Sequence, residues 1–258
     1  MKKNFMLTLL VAGILLTISP AHAQQADELL RDGDLLWQAR AEEGKALSSI
    51  DAYKRVLALD DDNYDACWKI ARSYFFLGDA LPETDEMRDR HREMGERGMP
   101  YAKKALGVNP GGIEGHYYYA LCIAEYSIGI SIVKALAKGL GPEYEKHVGR
   151  ALEIDRLYDG AGPLRAMGRY WYKLPWPKRD IKKSLQYLKE AVAAAPFSMR
   201  GRVYLAESYI KGEDTVQAQA ELRRALEMQP DLAREIDAER WQKRAAELLK
   251  ENFTPALP

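Results

Sequence analysis

Two cysteines in 258 residues, Cys67 and Cys122, are too few for a fold built on disulfides. An excess of one charge is also missing. The 38 Lys and Arg balance 38 Asp and Glu and are interspersed along the chain, so no basic stripe exists to displace counterions from a nucleic acid, and that partner is excluded. The motifs of common catalytic sites are absent: no G-x-S-x-G elbow, no Walker loop, no H-E-x-x-H and no C-x-x-C. His91, His116 and His147 have no second ligand at helical spacing except Glu143, four residues before His147. No metal, cofactor or catalytic role is therefore expected; were the chain to hydrolyse anything, Glu125 and His147 would be the first suspects.

One long apolar run exists, residues 5–18, preceded by Lys2 and Lys3 and followed by Ala21-His22-Ala23. This charge, core and small-residue order predicts a signal peptide over residues 1–23, cleaved ahead of Gln24, and a periplasmic mature chain. No Cys stands at the cleavage point to take a lipid anchor. Without Lys2 and Lys3 the acids exceed the bases by two.

The rest of the chain, residues 24–258, carries a phrase written five times: Arg55-Val56-Leu57-Ala58-Leu59-Asp60, Lys104-Ala105-Leu106-Gly107-Val108-Asn109-Pro110, Arg150-Ala151-Leu152-Glu153-Ile154-Asp155, Glu190-Ala191-Val192-Ala193-Ala194-Ala195-Pro196 and Arg224-Ala225-Leu226-Glu227-Met228-Gln229-Pro230. The intervals shorten to the 34-residue tetratricopeptide period. The sequence predicts an all-α, right-handed helical solenoid of this type, about five helix pairs and a C-terminal capping helix over residues 231–252. A charged insertion over about residues 80–96 divides the second unit. Residues 117–140 are apolar almost all round. Glu125, Lys134 and Lys138 argue against a membrane span there, leaving a buried long helix or an apolar face offered to a partner, a ligand or a second copy of the chain.

Cys67 and Cys122 fall on first helices of neighbouring units but six positions apart, an axial offset of about 9 Å. With about 8 to 10 Å between helix axes, two buried thiols are expected rather than a disulfide.

In such solenoids the first helix of each pair lines the concave groove. The register places Trp68, Arg72 and Phe75 there in the second unit, Tyr117 and Glu125 in the third, and Arg165, Arg169, Tyr172 and Lys173 in the fourth. Arg165 and Arg169, four residues apart, share a helical face. Two guanidinium groups beside aromatic rings suit a carboxylate on a flat or apolar body; the plainer alternative is that both are solvated or paired to nearby acids. The Lys173-Leu174-Pro175-Trp176-Pro177 turn is expected to be rigid, with Trp176 capping the fold.

Several of these residues together resemble the T component of tripartite ATP-independent periplasmic (TRAP) transporters. They are Tyr144-Glu145, the stretch from Arg150 to Asp155, Tyr158, Gly160, the run from Gly162 through Pro163, Leu164, Arg165, Ala166, Met167, Gly168 and Arg169 to Tyr170, then Leu174-Pro175, Lys183-Ser184 and Glu190-Ala191, with Ser127-Ile128-Gly129 before them. The resemblance covers about residues 112–249. It implies a non-enzymatic accessory protein for solute uptake, binding a solute-binding protein and an organic acid or apolar ligand. Many members are lipid-anchored, and this chain departs from them in lacking the anchoring Cys. The other reading is a general protein–protein scaffold in envelope assembly, whose groove takes an extended peptide or a partner helix.

Overall fold

The computed structural model describes residues 20–253. The expected leader lies almost wholly outside them. Among the described residues there are twelve α-helices and no strand. Five antiparallel pairs follow one another: α1 (Pro20–Gln38) with α2 (Lys45–Leu59), α3 (Tyr64–Asp79) with α4 (Arg88–Val108), α5 (Ile113–Ile130) with α7 (Leu140–Ile154), α8 (Tyr158–Lys173) with α9 (Ile181–Ala194), and α10 (Met199–Lys211) with α11 (Thr215–Glu227). The short α6 (Ile132–Ala137) sits between α5 and α7, and α12 (Ala238–Phe253) closes the array against α10 and α11.

The sequence starts and stops these helices by local chemistry. Asn63, Asp180, Ser198 and Asp214 each accept, through the side chain, the backbone N–H three residues on, satisfying a donor the helix start leaves open. The shared alanines of the repeated phrase, Ala105, Ala151, Ala191 and Ala225, are buried with Val56. A second signature marks how the pairs stack: the hydroxyl of Ser49 on α2 meets Ser73 on α3, and Ser184 on α9 meets Ser208 on α10, both 24 residues apart and fully buried. Aligning these two pairs also superposes Gly33, packed on Tyr53, with Gly168, packed on Leu188.

Three boundaries differ from the sequence expectation. Residues 80–96, the charged insertion, are partly helical. They form a strap (residues 80–84), one short 3₁₀ turn (Asp85–Met87) and the first turns of α4, whose Gly95 lies so close to α5 that a Cβ there would stand 2.3 Å from the Tyr126 nitrogen. Residues 117–140 are not one helix: Ser131, at φ 79°, breaks the run, and its side chain caps α6. The apolar positions are then divided, with Tyr117 to Ile123 in the core, Val133 exposed, and Ile128, Ile132, Leu136 and Leu140 facing the concave side. The C-terminal helix begins at Ala238, because residues 231–237 form a turn whose Glu235 carboxylate accepts Ser198 Oγ and the N–H groups of Met199 and Arg200 at the start of α10. Trp176 does not cap the fold, since it is 86% exposed on its turn. Both thiols are buried and free, with Cys122 Sγ donating to the Ala71 carbonyl.

Candidate concave binding site

Side chains four apart on each first helix project to the same side, and the curvature of the array gathers them around a cavity of about 1240 Å³. Eight of the nine expected groove residues line it: Arg72, Phe75, Tyr117, Glu125, Arg165, Arg169, Tyr172 and Lys173. Trp68 does not. It stands behind Arg72, stacked on Tyr118 with ring centroids 5.8 Å apart.

The cavity is bounded across the groove as well as along it. Asp79, the last residue of α3, receives Arg200 of α10 at 2.7 Å and Arg240 of α12 at 3.2 Å, and both arginines also hold Asp237, at 2.6 and 2.8 Å. The Arg200 and Arg240 charges hold the Asp237 carboxyl below its ordinary value against its burial. Glu83 on the strap pairs with Lys173 at the end of α8. These contacts join the second unit to the fourth, the fifth and the capping helix, so the solenoid closes upon itself.

Within the wall, Glu125 and His91 form a buried pair at 2.7 Å, and His91 Nε2 lies 3.3 Å from the Pro82 carbonyl on the strap. Burial pushes the Glu125 carboxyl up to about 7, against the pull of the His91 hydrogen bond. Burial depresses His91, but Glu125 outweighs it and the net movement is upward. Glu125 is thus committed to His91 and not to His147, which instead meets His116, Nδ1 to Nδ1, at 2.8 Å. Glu143 likewise turns from His147 to accept the Tyr119 hydroxyl. Among the described residues no cluster of three or more His, Cys, Asp or Glu is placed to hold a metal.

Arg165 and Arg169 have separate tasks. Arg165 donates to the carbonyls of Asp159 and Gly160, which lie in a left-handed turn, Asp159, Gly160 and Ala161 at φ 51°, 58° and 64°. Right-handed helix resumes at Gly162, which puts Pro163 in a first turn, where its missing N–H costs nothing. The Asp159 carboxylate accepts the Tyr117 hydroxyl at 3.0 Å. Arg169 pairs with Glu207 and lies over Tyr172 and Tyr204, at 4.7 and 4.3 Å.

Sequence reasoning missed Trp37, Arg40, Asp79, Arg200, Glu207 and Arg240, all in the wall. The signal was there for some of them. Extending the register to the fifth unit puts Arg200 and Glu207 at groove positions, and reading Gly33 as the counterpart of Gly168 puts Trp37 at the position Tyr172 holds.

Residues 24–175 match the family model described as regulator of microtubule dynamics protein 1-3. The chain belongs to that family. It is similar to the regulator of microtubule dynamics protein 1 of Bos taurus, 22% identical over 178 residues, 68% of this chain and 52% of the relative. To that of Pongo abelii it is 23% identical over 204 residues, 72% and 61%. The chain therefore spans between half and two thirds of the length of these relatives. In fold it is similar to a thermophilic TPR protein of Thermus thermophilus, with TM-score 0.63, 18% identity, and 86% of this chain and 99% of the other covered. It is also similar to PilF of Pseudomonas aeruginosa, with TM-score 0.58, 13% identity and coverage of 92% and 95%. The resemblance to the TRAP T component meets these findings at the coarser level of a tetratricopeptide-like helical family.

Proposed function

We propose that this chain is a non-enzymatic interaction scaffold that receives an extended segment of a protein partner in its closed groove. The cavity volume carries the reading. Pockets for drug-sized molecules run to about 300–1,000 Å³, and at 1240 Å³ with an aromatic and charged wall this one has room for several residues of peptide. The arginine–aromatic composition is also that of surfaces which anchor partners.

The N-terminal pattern of basic, apolar and small residues supports export, so the scaffold acts in the periplasm. The relatives' name concerns microtubule dynamics; our reading carries over to this chain the family's fold and not that role. Solute uptake beside a solute-binding protein is the second reading, favoured by the apolar stretch of wall formed by Ile128, Ile132, Leu136 and Leu140.

Photocrosslinking amino acids at Phe75 and Tyr172, inside the groove, are expected to capture one discrete protein in cells, with Leu47 and Val216 on the outer surface silent. Capture only from the outer positions would move the interaction to the convex face. Capture of nothing, together with saturable binding of a small carboxylate, would favour the uptake reading. N-terminal sequencing of the protein from a periplasmic extract is expected to begin at Gln24.

A further inference from the structure

Most cations of the groove are already matched to acids: Arg169 to Glu207, Lys173 to Glu83, Arg200 and Arg240 to Asp79 and Asp237, Arg244 to Glu247 and Glu251. Arg40 and Arg72 are different. Among the described residues neither has a carboxylate within ion-pair distance. Both guanidinium groups gather on one indole, Arg72 at 3.9 Å and Arg40 at 4.6 Å from the Trp37 ring centre, with the Trp68 ring at 4.8 Å from Arg72 and Phe76 at 5.7 Å from Arg40. Arg72 Nε is buried with no hydrogen-bond partner. The acids that could have served are occupied: Asp34 by Lys69 and the Tyr53 hydroxyl, Asp159 by the Tyr117 hydroxyl. Two like charges are thus held side by side, oriented by aromatic faces and lacking anions, at the N-terminal end of the cavity.

We infer that Arg40 and Arg72, set against Trp37, form an acceptor site for the carboxylates of an acidic segment in the partner protein. The inference rests on the scaffold reading and adds the chemistry of its ligand. A chain of acids fits better than a single anion, because two further cations, Arg165 and Lys243, which have no acid partner among the described residues, line the same cavity from the fourth unit and the last helix. Successive acidic side chains can reach these in turn, which a lone phosphate cannot. Arginine rather than lysine suits the task, since its planar fork pairs with a carboxylate while stacking on the ring.

The test is calorimetric titration of the chain with hexaglutamate. Saturable binding that weakens with salt is expected. The double variant Arg40→Gln/Arg72→Gln is expected to lose about tenfold or more in affinity, and Arg156→Gln, paired to Glu190 away from the cavity, to lose nothing. Should the double variant fail to fold, the unsubstituted protein still decides by NMR, in which the indole N–H signals of Trp37 and Trp68 should move on titration. No binding, equal affinity in the double variant, unmoved indole signals, or uptake of inorganic phosphate in preference to the peptide each overturns the site. If any of these comes with intact crosslinking from Phe75, the acid site is lost and the scaffold stands.

Discussion

At the scale of single residues the clearest consequence concerns His147. Pro110 accepts from His116 Nε2 at 2.9 Å, so His116 presents a bare Nδ1 and the proton between the rings belongs to His147. Burial, then the neighbouring His116 and Lys146, lowers His147 from 6.5 to about 4, with Glu143 opposing. A base whose native pKa is depressed favours the native state above its unfolded value, because below that value only the unfolded chain takes up the proton. Stability should therefore be full above pH 6.5 and fall as the pH drops toward 4, and His147→Asn should flatten that limb in urea titrations at stepped pH. The two rings stand 31 residues apart on separate helices, which explains why scanning for partners at helical spacing missed them. Arg72, by contrast, was legible, because the alanine and tyrosine of its own helix fix its register. What could not be read was its want of an acid, since that depends on Lys69 and Tyr53 having claimed Asp34.

Among elements, α4 and α5 make the most extensive contact of any pair, and they do so through glycines. Gly95 faces the backbone of Cys122 and Tyr126, and Gly129 faces Arg92, each with a virtual Cβ within 2.6 Å of main-chain atoms. Backbone cannot swing aside as a side-chain tip can. Gly95→Ala should therefore cost about 1–3 kcal/mol, despite alanine's better helix propensity, and thermal unfolding by circular dichroism would read it. An unchanged midpoint would mean the two helices part more easily than their packing implies. The ten paired helices were legible because the repeated alanines recur where helices must touch. The length of α4 was not, because the charges of residues 80–96 look like a solvated loop whether or not they wind into a helix. The left-handed turn at Asp159 was hidden too: Asp and Ala seldom adopt it, and the Arg165 and Tyr117 contacts that help hold it come from residues outside the turn.

For the whole molecule, a solenoid normally depends on contacts between neighbouring repeats, and the Asp79 cluster adds contacts of another range. Asp79→Asn removes the charge shared by two arginines that are each largely shielded or partly so, at a cost of about 1–3 kcal/mol. The outcome expected is faster amide exchange in residues 80–84 and 231–237 with the repeat cores unchanged, and the same regions should loosen in the unsubstituted protein at high salt. Exchange that rises uniformly across all helices would show that the cluster supports the fold globally and not as a seam. The partners of Asp79 lie 121 and 161 residues further along the chain, so the seam also has a place in time. Neighbouring helices can pack as soon as each pair is made, whereas Asp79 must wait until Arg240 has left the ribosome and, on the export reading, crossed the membrane. Until then the first repeats form an open arc with their arginines exposed, and a partner segment present where the chain folds would be enclosed by the last helix to arrive.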